Sequence, residues 1–380
     1  RTFDESGDYT IKPFPIQVID HQGATGTTTA SSDTTITGVL TDFENDFAVG
    51  DNIRLSSGTA TANVTSITNA TSMVINTALG NGSSQTILNN NPTSFVLDGK
   101  DQGPFRGERW NKWINKDLSK WYLNDQKFDV IKIENKEENL SLSAWWIGRN
   151  HPKEDRTIII VHGINSSKKQ YSQLMPATML ANQGFNVLLF DQRNHGESSC
   201  PTGRYFAGTK EWIDLNMVIL WLNKEKQIPI DKIGIHAVSG GTLAAQFLMA
   251  ERDDIRAFSL DSPVFDFEEI VKSELAWNGI PPIIWKLAVF IGKLHGIDIY
   301  AKKPKDGISN LNGRALLVFH GTEDTRVPFL HSEKLVNFAT SIGQDLRFVK
   351  NRGSDHNEAL LIEPEVIQEN LIKFYKKSLN

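Results

Sequence analysis

The stretch Lys232-Ile-Gly-Ile-His-Ala-Val-Ser-Gly-Gly-Thr-Leu-Ala-Ala245 indicates the fold, because an apolar run meets two glycines and then becomes rich in small residues. This pattern predicts a strand that turns sharply into a helix, with Ser239 at the bend. Such a bend exposes the serine hydroxyl and places the N-terminus of a helix beneath it. Small residues are required two positions away on each side, and Ala237 and Gly241 meet that requirement, although glycine is more usual than alanine at the first.

Apolar runs without alternation recur on both sides of this bend. Continuous apolar strands are typical of a sheet that is covered on both faces, with helices between the strands. Ligands of such sheets bind beyond the carboxyl ends of the strands, where the polar motifs of this chain fall. The runs with the motifs that follow them are Thr157–Asn165, Phe185–Ser198, Ile255–Pro263, Arg314–Pro328 and Leu346–Asn357.

The order Ser239, Asp324, His356 along the chain is that of the α/β hydrolases. Residues from about 125 to the C-terminus resemble that superfamily, and most closely cap-bearing bacterial serine hydrolases related to serine aminopeptidases and carboxylesterases. We therefore expect an α/β fold with a mostly parallel sheet and a helical cap. The motifs that carry the resemblance are His162-Gly163, Asp191-x-Arg193-x-x-Gly196-x-Ser198, Ser239-Gly240-Gly241, Asp261-Ser-Pro263, His320-Gly321-x-x-Asp324-x-x-Val-Pro328 and His356.

A serine, a histidine and a carboxylate in this order form a set of groups suited to acyl transfer. Because a serine hydroxyl is a weak nucleophile, we expect His356 to act first as base and then as acid. Asp324 would hold the imidazole in the required tautomer and stabilise its charged form. The resemblance implies that the backbone N–H groups of Ile164 and Gly240 form the oxyanion hole. Dehalogenases of this fold carry aspartate at the bend, so serine points to acyl transfer.

Neighbouring carboxylates allow other interpretations of the same motifs. Asp324 could cap the turn before Val327, in which case Glu323 would be the partner of His356. Asp355 is expected to cap the loop rather than to take part in catalysis. No group of histidine and cysteine residues has the spacing of metal ligands, so we expect neither a metal ion nor another cofactor.

The segment after Asp261-Ser-Pro263 is predicted to form the helical cap, over about residues 264–312. Its second half, Pro281–Gly296, is strongly apolar. Lysines interrupt this run, which is shorter than the ~20 apolar residues of a membrane span, so none is predicted. The run could pack over the core, line an acyl pocket, or do both. The side chains proposed to line the pocket are Trp277, Ile284, Trp285, Leu287 and Phe290.

The N-terminal quarter is rich in Thr, Ser, Asn and Gly, with short β-favouring runs between turn dipeptides. A disordered low-complexity linker is one interpretation, but regularly placed apolar residues favour a small all-β domain over residues 21–94. We predict an N-terminal arm over 1–20, a linker with an amphipathic helix over 95–124, and the hydrolase domain over 125–380. The apolar residues at helical spacing, expected to dock on the hydrolase, are Trp110, Trp113, Ile114, Leu118 and Trp121.

The opening Arg1–Phe14 and the Thr/Gly-rich module after it resemble segments of phage virion and tail proteins. This resemblance implies an attachment or assembly element that carries an enzyme, with virion proteins as partners. The chain begins without methionine, which suggests a processed or excised chain. Localisation is left open between the cytoplasm and a virion.

The composition agrees with this division and narrows the function. With 380 residues the chain can hold a large core and a small domain. Its net charge of −5 gives no indication of nucleic-acid binding, which requires an excess of basic residues. We predict a serine hydrolase that cleaves carboxylic esters through an acyl-enzyme, with a small-molecule or acylated-glycan substrate. A peptidase or amidase of the same fold is one alternative, and a virion structural or binding protein with an inert hydrolase domain is another.

Overall fold

The computed structural model describes residues 128–148 and 155–380, together with shorter parts of the N-terminal third. The chain divides into one compact unit of residues 1–16, 99–114 and 123–380 and a second of residues 17–98 and 115–122. The residues described in the N-terminal third are 2–3, 9–10, 27–30, 34–39, 43, 52–55, 61–79, 82–85, 87–89, 108–113, 116, 118 and 121.

The second unit contains a small antiparallel sheet, which confirms the predicted all-β domain. Alternate residues face inward, as Met73 and Ile75 do in one strand, and they form a core with Ile36, Ile53 and Val64. The N-terminal strands are β1 (Thr2–Phe3), β2 (Tyr9–Thr10), β3 (Thr27–Ala30), β4 (Thr35–Val39), β5 (Asn52–Leu55), β6 (Thr61–Asn69), β7 (Ser72–Ile75), β8 (Gly82–Gln85) and β9 (Ile87–Asn89). Strands β3 to β9 pair in the order β8-β3-β4-β7-β6-β5-β9.

The first unit is built on an eight-stranded sheet. Its strands are β10 (Asp129–Asn135), β11 (Leu140–Ile147), β12 (Thr157–Val161), β13 (Asn186–Phe190), β14 (Ile233–Val238), β15 (Ala257–Asp261), β16 (Ala315–Gly321) and β17 (Arg347–Asn351). They pair in the order β10-β11-β13-β12-β14-β15-β16-β17. Strands β10 and β11 are antiparallel, whereas β12 to β17 run parallel. Every residue of β12 to β15 is buried, as expected for a sheet that is covered on both faces.

Helices connect the parallel strands, so the predicted α/β class is confirmed. They are α1 (Glu108–Asn111), α2 (Tyr171–Ala181), α3 (Glu211–Glu225), α4 (Gly241–Glu251), α5 (Phe267–Trp277), α6 (Trp285–Leu294), α7 (Pro304–Ser309), α8 (Leu330–Ser341), α9 (Ala359–Ile362) and α10 (Pro364–Ser378). Short 3-10 turns occupy Ile230–Lys232 and Pro282–Ile284. Helices α5 to α7 lie between β15 and β16, in the segment 264–312 that we call the cap segment.

The amphipathic helix expected near residues 107–122 is shorter than its pattern suggests. Helix α1 ends at Asn111, and Trp113 lies in the turn that follows. Its indole nitrogen donates a hydrogen bond to the Glu358 carboxylate over 2.8 Å. Tertiary contacts of this kind override a helical pattern that has few residues to support it. Ile114 lies outside the described residues.

Candidate active site

Ser239 lies at the bend between β14 and α4. Its backbone has φ of 53°, a left-handed conformation that is strained for a residue with a side chain. The Ser239 N–H donates to the Asp261 carbonyl over 2.8 Å, which fixes the bend to the neighbouring strand. A Cβ atom on Gly241 would lie 2.4 Å from the His162 carbonyl oxygen, so only glycine fits where helix and strand pass. The structure therefore has the sharp strand-to-helix turn that the sequence predicts.

Two backbone N–H groups flank the space beside Ser239. Neither the Ile164 nor the Gly240 nitrogen donates a hydrogen bond to a residue that the structure describes. A Cβ atom on Gly240 would lie 3.1 Å from the Ile164 nitrogen and 3.0 Å from the Tyr205 hydroxyl. The absence of a side chain at position 240 therefore keeps this space open. Free N–H groups in such a place can bind a developing oxyanion.

Buried hydrogen bonds hold the loop that carries Ile164. The His162 Nδ1 atom donates to the Gly163 carbonyl over 2.7 Å, while its Nε2 atom accepts from the Gln192 N–H over 3.0 Å. This pattern requires a neutral imidazole, and burial lowers the pKa of His162 accordingly. His162 thus braces the loop from behind instead of facing a substrate.

Asp324 and His356 form a buried pair. The His356 Nδ1 atom donates to one oxygen of Asp324 over 2.8 Å, and the other oxygen accepts the N–H groups of Arg326 and Val327 over 2.9 and 2.7 Å. Burial alone would raise the pKa of Asp324, but His356 and His320 hold it well below its usual range. The carboxylate is therefore ionised and suited to orienting an imidazole.

Glu323, the alternative to Asp324 in the sequence analysis, pairs with Arg109 instead of His356. Its side chain is 58% exposed and pairs with Arg109 at 2.7 Å. Asp324 is therefore the carboxylate that the structure brings to His356.

Ser239 and His356 line one small cavity. No hydrogen bond joins the Ser239 Oγ atom to the imidazole among the described residues. Catalytic hydrogen bonds of this kind are often long in free enzymes and shorten when substrate binds. Ser239 and His356 thus line the same cavity, and Asp324 binds the Nδ1 atom of His356.

Asp355 holds the backbone of the histidine loop. Its Oδ1 atom accepts the N–H groups of His356 and Thr325 over 2.7 and 2.8 Å, so it ties this loop to the one that follows β16. This contact matches the loop-capping role that the sequence suggested for Asp355.

A second support of this loop comes from a distant part of the chain that sequence reasoning missed. Glu358 accepts the N–H of Asp355 over 2.9 Å and also binds Arg109, Lys112 and Trp113 over 2.7, 2.8 and 2.8 Å. These partners lie about 250 positions upstream, and no local pattern signals such a contact. The pKa of Glu358 is lowered, because its hydrogen bonds to Arg109 and Lys112 outweigh its burial.

Asp261 is a further carboxyl group near the pair. Burial raises its pKa to about 6, although the neighbouring His356 and His320 act to lower it. Its Oδ1 atom accepts from the Ser262 hydroxyl over 3.2 Å. Asp261 therefore ionises at a higher pH than Asp324, whose pKa is lowered.

An apolar cavity of about 330 Å³ opens beside Ser239. Helix α5 contributes one face of it, with residues at helical spacing, and the loop that carries Ile164 and the start of α4 also contribute to its lining. The side chains from the cap segment and its flanks that line it are Val264, Phe267, Ile270, Val271, Glu274, Leu275, Asn278, Ile280, Ile297 and Ile299.

The five residues proposed for the acyl pocket do not line this cavity, which corrects their assignment. Ile284, Leu287 and Phe290 are 40%, 53% and 59% exposed. Trp277 lies outside the lining face of α5, and its ring packs on the Arg326 guanidinium at 5.0 Å. Trp285 carries Lys272 and Lys286 over its ring. The apolar residues of α6 cover every side of the helix except that of Lys286 and Lys293, so hydrophobicity alone could not show which of them turn inward.

Two further kinds of site are absent from the described part of the chain. No group of three or more histidine, cysteine, aspartate or glutamate side chains there is placed to hold a metal ion. No helix there is long and apolar enough to cross a membrane.

Comparison with known proteins identifies the fold. Residues 152–296 match the family model described as serine aminopeptidase, S33. The Pyrococcus furiosus esterase Pf2001 superposes with a TM-score of 0.55 and 22% identity, over 67% of this chain and 92% of that one. The fold is that of the α/β hydrolases.

The names of other similar proteins state a different activity or none. The acylaminoacyl peptidase of Pyrococcus horikoshii superposes with a TM-score of 0.53 and 17% identity, over 67% of this chain and 41% of that one. The uncharacterized protein YqkD of Bacillus subtilis is 28% identical over 188 residues, 47% of this chain. The match spans only 58% of the length of YqkD. Together these similarities support a hydrolase of the α/β-hydrolase fold, without a choice between esters and peptides.

Proposed function

We propose that this chain is a serine hydrolase that cleaves carboxylic esters through an acyl-enzyme, with Ser239, His356 and Asp324 as its triad. The observation that carries the proposal is the buried 2.8 Å hydrogen bond from His356 to Asp324, formed beside a serine at a strained bend. Nucleophile, base and orienting carboxylate together are the requirement for activating a serine at neutral pH.

The reaction follows from the position of each group. His356 accepts the Ser239 proton as the Oγ atom attacks the ester carbonyl, and Asp324 stabilises the imidazolium that forms. The N–H groups of Ile164 and Gly240 bind the oxyanion, and each such donor lowers the barrier by about 3–4 kcal/mol. His356 then protonates the departing alkoxide, and a water molecule releases the acid by the reverse sequence.

The apolar cavity favours an ester with a hydrophobic acyl group. About 150 Å³ suffices for benzene in an apolar protein cavity, and this cavity has about 330 Å³. An acetyl group would leave most of that space unfilled, whereas a medium-length chain or an aromatic acid would fill it. We therefore expect turnover to rise from acetate to medium-chain esters, because burial of each methylene contributes about 0.8 kcal/mol.

Glu274 supports a second candidate, an aminopeptidase. It is the only charged residue among the described residues that line the cavity, where it could bind the ammonium group of a peptide N-terminus. Arg326 already pairs with it at 3.0 Å, which leaves less charge for a substrate. Release of p-nitroaniline from leucine p-nitroanilide, lost in Glu274→Gln, would favour the aminopeptidase. Hydrolysis of esters alone, with little effect of Glu274→Gln, is the expected outcome.

An acylated glycan as substrate and virion proteins as partners of the N-terminal sheet remain proposals that rest on the sequence resemblance. Release of acetate from an acetylated polysaccharide tests the first. Co-sedimentation of the chain with assembled virions tests the second. A chain that releases no acetate would contradict the glycan substrate, and a chain that does not co-sediment would contradict the virion partners.

The esterase proposal is tested by a fluorophosphonate probe together with p-nitrophenyl esters of two to twelve acyl carbons. We expect labelling and ester turnover in the native chain and neither in Ser239→Ala. Ser341→Ala is the matched control, because Ser341 is exposed and its hydroxyl bonds only to the Phe338 carbonyl of its own helix. A folded native chain that is not labelled would overturn the proposal.

A further inference from the structure

A second, smaller cavity also opens beside Ser239. It has about 30 Å³, roughly the space of one water-sized group. Ser239 and Ile164 line both this cavity and the apolar one, whereas His356 lines the small cavity only. An ester carbonyl held at Ser239 would therefore extend one of its substituents toward each cavity.

The position of His356 decides which substituent enters which cavity. In the proposed reaction the Ser239 Oγ–carbon bond forms and the bond from that carbon to the alcohol oxygen breaks. The alkoxide takes the proton that His356 received from Ser239, so the alcohol must lie on the histidine side. The small cavity is on that side, and the apolar cavity is left for the acyl group.

The small cavity is lined by buried polar side chains whose hydrogen-bonding capacity is incompletely used. The Gln173 Oε1 atom accepts from the Ser172 hydroxyl over 3.0 Å, which leaves its amide N–H groups as donors. The Gln173 Nε2 and Asn357 Oδ1 atoms have no partner in the described part of the chain. Gln173 and Asn357 are only 1% and 6% exposed, so solvent does not compensate.

Unpaired buried polar atoms are unfavourable by about 1–3 kcal/mol each, and a ligand that pairs them recovers that free energy. A hydroxyl group is one donor and one acceptor, so it complements an amide N–H and an amide oxygen at once. A methyl group of similar size would leave both atoms unpaired.

We infer that the small cavity is a leaving-group subsite that selects short alcohols bearing a further hydroxyl group. This inference rests on the proposed esterase function and narrows its substrate class to apolar acids esterified with small hydroxylated alcohols.

The test compares 2-hydroxyethyl octanoate with propyl octanoate, which differ by a hydroxyl in place of a methyl group. We expect the native chain to have at least tenfold higher kcat/KM for the hydroxyethyl ester. Gln173→Met removes the donor at similar side-chain length and should bring the ratio close to one. Gln183→Met makes the same change at an exposed position just after the same helix, α2, and should leave the ratio unchanged.

Fluorophosphonate labelling of Gln173→Met shows whether the variant keeps its folded active site. The native chain gives an independent measurement if it does not: ethylene glycol should intercept the octanoyl-enzyme more efficiently than 1-propanol. Equal kcat/KM for the two esters, with p-nitrophenyl octanoate still cleaved, would overturn the subsite and leave the esterase standing. Failure to cleave any ester would overturn the esterase proposal and the subsite with it.

Discussion

The loops that follow β14, β16 and β17 (residues 239–240, 322–328 and 352–358, the catalytic loops) differ from the cap segment in what fixes their side chains. In the catalytic loops, directional hydrogen bonds from backbone N–H groups hold the carboxylates of Asp324, Asp355 and Glu358. Asp324 accepts two such bonds with one oxygen and the imidazole of His356 with the other. A change of residue type in these loops therefore removes several specific contacts at once.

Much of the cap segment is both apolar and exposed. Helix α6 has no buried residue, and Ile283 before it is 87% exposed. Apolar contacts have no preferred direction, so many arrangements of these side chains satisfy them nearly equally well. From this comparison we expect that the catalytic loops tolerate few substitutions, whereas the cap segment tolerates many and its substitutions alter substrate choice.

The largest expected effect tests the carboxylate of the catalytic loops. Asp324→Asn should lower kcat for p-nitrophenyl octanoate by about ten-thousandfold, because the imidazole loses its orienting anion. Glu323→Gln changes the neighbouring carboxylate in the same way and should alter kcat by less than about threefold, since Glu323 contacts no triad residue. A larger loss in Glu323→Gln would reverse the assignment.

Gly240 and Gly292 provide the same substitution in the two regions. Gly240→Ala places a methyl group 3.1 Å from the Ile164 nitrogen, and kcat should fall by roughly a hundredfold as oxyanion binding weakens. In Gly292→Ala the nearest described atom would lie 3.7 Å from the added Cβ atom, so the methyl group fits. Because alanine favours a helix more than glycine does, α6 should gain about 1 kcal/mol of stability. Steady-state kinetics measure kcat of both variants, and thermal unfolding measures their stability. Equal losses of activity would contradict the comparison.

Ile270 and Ile283 test whether the cap segment controls the acyl group. Ile270→Phe fills part of the apolar cavity, so kcat/KM for the octanoate ester should fall by about 10–100-fold relative to the acetate ester. Ile283→Phe adds the same bulk at an exposed position and should leave this ratio unchanged. An acyl-length profile that does not respond to Ile270→Phe would show that the acyl group binds elsewhere.

Arg109 tests the distant support of the histidine loop. Arg109→Ala leaves Glu358 with fewer partners, and kcat should fall by about tenfold with KM little changed, because the loop loses its fixed position. Arg109→Lys should restore part of kcat by keeping one ion pair. Arg347→Ala, at an exposed arginine, is the matched control. A rise in KM alone would indicate a role in substrate binding instead.

Glu211 should give the smallest effect, seen in stability rather than in catalysis. It accepts the N–H groups of Phe206 and Gly208, next to Tyr205 in the apolar cavity, and burial raises its pKa to about 7. Since this value lies above the ordinary 4.5, the contribution of Glu211 to stability is full below pH 4.5 and is lost as the pH rises through about 7.

The matched variant for this pH effect is Glu211→Gln, which cannot ionise. Between pH 4.5 and 8 the free energy of unfolding of the native chain should fall relative to Glu211→Gln by up to roughly 3 kcal/mol. Urea unfolding at several pH values measures the difference. Parallel pH profiles of the two proteins would show that Glu211 does not titrate in this range.

The sequence alone predicted the parallel sheet, the bend at Ser239 and the residues at its edge. Continuous apolar runs specify buried strands, and short-range backbone demands require particular residues beside them, as the 2.4 Å approach at Gly241 shows. Asp324 and His356 were predictable for a related reason, since each follows the end of a strand and parallel strands end at one edge.

Only the tertiary structure decided which side chains line the cavities and which distant residues support the histidine loop. Apolar residues cover α6 on every side except that of Lys286 and Lys293, so their pattern could not show which of them turn inward, and α5 supplied one face of the cavity instead. The contacts of Arg109 with Glu358 join positions that no local periodicity relates. Directional and local constraints are written in short segments of sequence, whereas packing and long-range ion pairs depend on how the whole chain is arranged.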